Sequence, residues 1–209
     1  MEEELIDILK RTGALITDTH AVGTSGRHMS IYINKDALLL RPNETGRVGE
    51  LFAEKNKNLA IDVVVAPAMG AIILGHWTAY HLGRANQKEI LSVYTEKDLS
   101  ENQIFKRGYD KLVSGKNVLV IEDTTATGGS VAKVVESVKK AGGIVLQACV
   151  MVNRDPVKIT AETVGAPFSW LAHIPAETYA PDDCPLCKAG VPINTTVGHG
   201  KKFLESKGL

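Results

Sequence analysis

Apolar residues recur at two different spacings along the chain, and the change from one to the other sets its plan. Leu5, Ile8, Leu9 and Thr12 fall on one face at helical spacing behind a run of acids, which predicts a helix over the first dozen residues. Residues 43–57 predict a second helix, its start marked by Pro42 and Asn43. Between them lie a Gly- and His-containing segment, 20–30, and a short strand, 31–34. From residue 61 onward, short apolar runs predict strands at 61–66, 90–94, 117–121, 144–152 and 168–172, with helices at 72–82 and 131–141. Residues 95–113 are mostly polar and read as a long excursion. Alternation of this kind predicts an α/β chain: a central, mainly parallel sheet flanked by helices on both faces. Such sheets bind ligands beyond the carboxyl ends of their strands, and the unusual segments 67–71, 94–97 and 122–130 all follow predicted strand ends.

No repeat, low-complexity stretch or Pro/Ser-rich linker divides the 209 residues, so one domain is expected. Residues 1–42 would form a small N-terminal hood segment and 178–209 a loop-rich C-terminal appendage. Basic and acidic side chains balance at 24 each, which excludes a net field drawing the protein to nucleic acid or a membrane surface. An anionic ligand must then be held by local geometry. The acidic, amphipathic start does not resemble a signal peptide, and no apolar run is long enough to span a bilayer. Three cysteines are too few for a disulfide framework. A cytoplasmic enzyme or regulator is expected.

The chemistry is concentrated in VLVIEDTTATGGS, residues 118–130. Four apolar residues carry Glu122 and Asp123 to the tip of a buried strand. The small residues Thr124, Thr125, Ala126, Thr127, Gly128, Gly129 and Ser130 then open onto a helix. A helix start offers unpaired N–H groups and a positive dipole end, which suits a phosphate dianion. Hydrogen bonds to such a charged group are worth about 1.5–3 kcal/mol each, so a few anchor it. The two carboxylates can accept vicinal sugar hydroxyls, and their charge favours a cationic transition state.

This stretch resembles the 5-phosphoribosyl 1-pyrophosphate (PRPP) motif of the type I phosphoribosyltransferases over thirteen consecutive positions. Further segments are similar to orotate phosphoribosyltransferases in the family's order. TSGRHMSIYIN (24–34) resembles the base-binding segment, which puts Thr24, Ser25 and Gly26 near the base. PAMGAIILG (67–75) resembles the pyrophosphate loop, implying roles for Ala68, Met69, Gly70 and Ala71. VYTEK (93–97) supplies Tyr94 and Lys97, the latter to neutralise charge on departing pyrophosphate, and MVNRDP (151–156) supplies Arg154 as a fork for the orotate carboxylate. CPLCKAGVP (184–192) resembles the tail of one branch of these enzymes. The resemblance implies the type I phosphoribosyltransferase fold, Mg2+ carried mainly by PRPP, orotate as acceptor and a homodimer. Glu122, Asp123, Lys97 and Arg107 are the implied catalytic set.

The chain departs from the pattern at three places. Ala71 stands where a second glycine is usual, and Glu96 where a basic residue is frequent. The stretch 98–108 lacks the family's Lys and His-Gly pair, leaving Lys106 and Arg107 as substitutes. Rival readings are a transferase for another base and a PRPP-binding regulator without turnover. No protein metal ligands are assigned. Cys184 and Cys187 make one C-x2-C pair where a structural zinc needs four ligands; His173 and His199 could complete a set, but plain packing is the expectation. His28 is a candidate base contact, and His20 a weaker one.

Overall fold

The computed structural model describes residues 1–23, 25–175 and 177–208. Five parallel strands form its centre: β5 (Val63–Pro67), β6 (Leu91–Lys97), β8 (Asn117–Thr125), β9 (Ile144–Asn153) and β10 (Phe168–His173). An antiparallel sixth, β7 (Gln103–Phe105), closes one edge, in the order β10-β9-β8-β5-β6-β7. Residues alternate between two covered faces, so both sets of positions are apolar. Val64, Leu119, Ile121 and Met151 pack with Leu5, Leu9, Leu51, Phe52 and Leu74 from α1 (Glu2–Arg11), α3 (Pro42–Asn56) and α4 (Ile72–Asn86). Val63, Val65, Val118 and Val120 pack on the other face with α5 (Tyr109–Val113), α6 (Gly129–Lys140) and α7 (Ala161–Val164). Ion pairs Arg11–Glu44 (2.5 Å) and Arg47–Glu4 (2.7 Å) tie α1 to α3. A Cβ on Gly49 would stand 2.4 Å from Cβ of Trp77, so α3 and α4 touch backbone to side chain there.

The chain lays down β5 and β6 in one direction, then returns to place β8 on the far side of β5. That reversal puts a crevice between the carboxyl ends of β5 and β8, where doubly covered sheets bind ligands. Several strands run further than their apolar cores predict. β8 continues through Glu122–Thr125, paired with β9 at Glu122↔Val150 and Thr125↔Asn153, so both acids lie inside the strand. β6 extends to Lys97 and turns into β7, which replaces the predicted excursion. Buried Thr95 bonds Gln103 across this hairpin (Oγ1···Oε1, 2.8 Å). An edge hairpin needs only one buried face, which is why its sequence reads as polar.

Above the crevice the segment before α3 folds into short ribbons instead of one strand. β1 (Leu15–Ile16) pairs with β4 (Tyr32–Ile33), which leads into α2 (Lys35–Leu39). β2 (Ala21–Val22) and β3 (His28–Met29) form a three-stranded sheet with β11 (Thr178–Tyr179) from the other end of the chain. A 3-10 turn (Pro181–Asp183), α8 (Pro185–Lys188) and α9 (Gly200–Lys207) follow. Among the described residues no helix is long and apolar enough to cross a membrane.

Candidate active site

A cleft of about 970 Å³ occupies the crevice between β5 and β8 and reaches up to the ribbons. Glu122 and Asp123 form part of its floor. Glu122 is only 5% exposed. Its Oε2 accepts from the Ser130 hydroxyl at 2.7 Å and its Oε1 from the Asp123 N–H at 3.0 Å. Burial first, then the neighbouring Asp123 charge, raises the Glu122 carboxyl well above the usual glutamate range. A cation bound beside the pair would offset that burial and repulsion.

Thr124, Ala126, Thr127 and Ser130 line the cleft beside the acids. Thr125 and the two glycines shape the turn from behind. Thr125 is buried, and its Oγ1 accepts from the Gly128 N–H at 2.9 Å. Gly128 caps α6 at φ +79°, a left-handed conformation that favours glycine, and a Cβ there would meet Thr163 at 3.0 Å. Gly129 opens the helix, whose first N–H groups have no intrahelical partners.

From β5, Ala68 and Gly70 line the cleft. A Cβ on Gly70 would lie 2.9 Å from Asp123 Oδ2 and 2.6 Å from Lys35 Cε, so the position admits no side chain without displacing them. Met69 is 83% exposed and points away, and Ala71 is fully buried as the N-cap of α4. Lys97 lines the cleft while ion-paired to Glu101 at 2.7 Å. Tyr94, Lys106 and Arg107 stand apart from the cleft lining, gathered around Glu96. Lys106 reaches Glu96 at 3.1 Å, and Arg107 pairs with Glu96 while lying 5.4 Å from the Tyr94 ring centroid. Glu96, out of pattern in the sequence, thus neutralises the two substitute cations.

At the upper end, Ser25 and Arg154 line the cleft; Gly26 sits in the adjoining turn at φ +74°, and Thr24 lies outside the described residues. The Arg154 N–H donates to Thr125 O (3.0 Å), which fixes the end of β9 against the 124–130 turn. Its guanidinium donates through Nη2 to Ile31 O at 2.7 Å, and its buried Nε has no partner among the described residues. Burial lowers its pKa, and an anion beside it would relieve that cost.

Tyr32, from the 24–34 segment, also lines the cleft, as do Lys35 and Lys158, which carried no sequence signal. Lys35 opens the five-residue α2 and Lys158 precedes the four-residue α7, elements too short for periodicity to define. His28, a candidate base contact, is fully buried behind the ribbons and absent from the lining. Burial, then the nearby His20, draws its pKa down. Cys184 and Cys187 sit beside His20 and His28, not His173 or His199.

A parallel sheet whose reversal point carries paired carboxylates, a threonine-glycine turn and a recessed arginine defines a protein of the phosphorylated-sugar transferase class. The model of the phosphoribosyl transferase domain family matches residues 34–159. The chain is 36% identical over 190 residues to an orotate phosphoribosyltransferase of Desulforamulus reducens, covering 91% of this chain and 93% of that one. It is 35% identical over 198 residues to the orotate phosphoribosyltransferase of Thermotoga maritima, covering 94% and 98%. The Mycobacterium tuberculosis orotate phosphoribosyltransferase solved in complex with PRPP shares the fold, with a TM-score of 0.61 at 22% identity over 81% of this chain and 94% of that one. The chain belongs to the phosphoribosyl transferase domain family and, within it, to the orotate phosphoribosyltransferases.

Proposed function

We propose that the protein transfers the 5-phosphoribosyl group of PRPP to orotate, giving orotidine 5′-phosphate and pyrophosphate. The observation that carries this reading is one cleft holding the Glu122–Asp123 pair and the 124–130 turn at one end and the unpartnered Arg154 Nε at the other. The turn from Thr124 to Ser130 holds the 5′-phosphate on backbone and hydroxyl donors. Glu122 and Asp123 accept the ribose hydroxyls. As the C1–O bond to pyrophosphate breaks and the base nitrogen bonds to C1, the carboxylates stabilise positive charge developing on the sugar. Ala68 and Gly70 of the 68–71 loop and Lys97 receive the pyrophosphate, with Lys35 beside Gly70 as a further cation. Arg107 turns from Glu96 to assist it. Arg154 and the segment around Ser25 and Gly26 select the base through its carboxylate.

Glu122 and Asp123 line the cleft with carboxylate oxygens whose protein partners are N–H and O–H donors, which fits a hard cation. Mg2+ carried by PRPP would bind against them and neutralise phosphate charge. α4 leaves Ile73 and Tyr80 exposed beside Trp77, which supports a second copy docking there as a homodimer. A cytoplasmic location accords with the absence, among the described residues, of a helix able to span a membrane.

The test is pyrophosphate release from purified protein with Mg2+, PRPP and each base in turn. Release with orotate is expected. Release only with a purine overturns the acceptor, and PRPP binding without release from any base would make the protein a regulator.

A further inference from the structure

We infer that His20, His28, Cys184 and Cys187 form a structural zinc site joining the two ends of the chain beside the upper end of the cleft. Their ligating atoms all lie within 4.8 Å of one another. His20 Nε2 stands 3.6 Å from Cys184 Sγ and 3.7 Å from Cys187 Sγ, and His28 Nδ1 stands 3.4 Å from Cys187 Sγ. A tetrahedral zinc with Zn–S near 2.3 Å and Zn–N near 2.0–2.1 Å sets nitrogen–sulfur edges of about 3.6 Å. The nitrogens of His20 and His28 are 2.8 Å apart and need to separate by only about 0.5 Å to reach the corresponding edge.

The surroundings are those of a metal centre. His20 Nδ1 lies 2.7 Å from Val191 O, so it donates there and leaves Nε2 with a lone pair facing the cysteines. His28 is fully buried, edge-on to Phe203 of α9 at 4.8 Å between centroids, and its Nε2 has no hydrogen-bond partner among the described residues. A merely hydrogen-bonded cluster leaves that cost unexplained, whereas metal ligation at Nδ1 supplies energy to offset it. Three of the four residues are buried; Cys187 is exposed and offers an entry path. Two thiols and two imidazoles suit zinc and disfavour the oxygen-seeking Mg2+ and Ca2+. Four protein ligands leave no open position, so the role is structural. On metal uptake the two thiols release their protons and bind as thiolates, and the resulting centre is neutral.

The ligands are His20 just before β2, His28 of β3, Cys184 at the N-cap of α8 and Cys187 within α8, bridging 164 residues between His20 and Cys184. Ser25 and Arg27 lie between the two histidines and line the cleft, and Arg27 Nε donates to Thr178 Oγ1 of β11 at 2.9 Å. Zinc here would fix the loop that faces the base.

Full-length reduced protein, expressed with zinc in the medium, should carry about one zinc per chain by mass spectrometric metal analysis. Exchange for Co2+ should give intense visible bands of a tetrahedral site and a thiolate-to-cobalt charge-transfer band. Cys187→Ser and His20→Ala should lose most of the metal, His173→Ala should keep it, and a chelator should lower the Tm of the parent but not of Cys187→Ser. Failure of the parent protein to bind either metal, a cobalt spectrum without thiolate charge transfer, or undiminished zinc in Cys187→Ser overturns the site. The metal content can be read whether or not the variants fold well, because the parent alone decides the first two. A kinetic corollary rests on the proposed function: chelation should raise KM for orotate more than KM for PRPP. Inactivity toward orotate would sink that function and leave the metal measurement intact.

Discussion

Gly70 and Asp123 face each other across the crevice so closely that a methyl group on the glycine would stand 2.9 Å from the aspartate Oδ2. The atoms it would meet are ends of flexible side chains, Asp123 and Lys35, so they can move aside. Gly70→Ala should leave Tm nearly unchanged while displacing the carboxylate from the sugar. A misplacement near 1 Å costs up to about 100-fold in rate, so kcat/KM should fall between about 10- and 100-fold. Steady-state kinetics beside a melting curve checks this, and a fall in Tm with normal kinetics contradicts it.

Glu122 gives the free protein a pH dependence of definite sign. Its folded-state pKa is raised by burial and by Asp123, so between the unfolded and folded values the native state binds more protons. Stability should therefore decline as pH rises from the ordinary glutamate range through the elevated value. Glu122→Gln should flatten that decline and be the more stable protein at neutral pH, yet lose turnover. Denaturant titrations from acid to neutral pH, without ligand, measure the slope. A parent protein that gains stability over this interval relative to the variant contradicts the assignment.

Arg154 is held by Ile31 O, with its Nε left over. Arg154→Lys keeps the charge but removes the fork that matches a carboxylate. Loss of a charged hydrogen bond of about 1.5–3 kcal/mol corresponds to roughly a 10- to 150-fold rise in KM for orotate. KM for PRPP should change much less. Equal shifts in both would show that the arginine only supports the fold.

Arg107 rests on Glu96 and the Tyr94 ring at the protein surface. Exposed ion pairs contribute about 0–1 kcal/mol, so Arg107→Ala should hardly move the Tm. Its proposed part in pyrophosphate departure predicts a kcat at least about tenfold lower. An unchanged kcat would leave it a surface cation only.

Gly49 supplies a stability control remote from the cleft. A Cβ there would stand 2.4 Å from Trp77 Cβ and 2.9 Å from its backbone carbonyl carbon, and the latter cannot rotate away. Gly49→Ala should destabilise by about 1–3 kcal/mol or more as α3 and α4 are pushed apart. Activity per folded molecule should survive.

The strand–turn–helix corner at 118–130 was legible because its signals are local. A run of buried apolar residues, two acids and a threonine-glycine turn occupy consecutive positions, and one strand–helix junction holds them all. The parallel sheet was legible for the same reason, since each long strand carries its own apolar pattern. The ribbons were not. β2, β3 and β11 contain two residues each, and their pairing joins residues 28–29 to 178–179, a relation that no window of sequence contains. Lys35 was missed because its relevance comes from standing beside Gly70, and the partners of Cys184 because His20 and His28 lie far away in the chain. Glu96 shows the reverse: out of pattern by family resemblance, it has a clear electrostatic task once Lys106 and Arg107 are seen around it.

The pairing of β11 with β3 also orders events during synthesis. While the chain emerges from the ribosome, every strand of the central sheet is available before Thr178 appears. A nascent molecule can thus complete the strand–turn–helix corner of residues 118–130 while the β2–β3 ribbon still lacks its third strand. The ribbon beside Ser25 and Arg27 is, in this architecture, completed only after the central sheet.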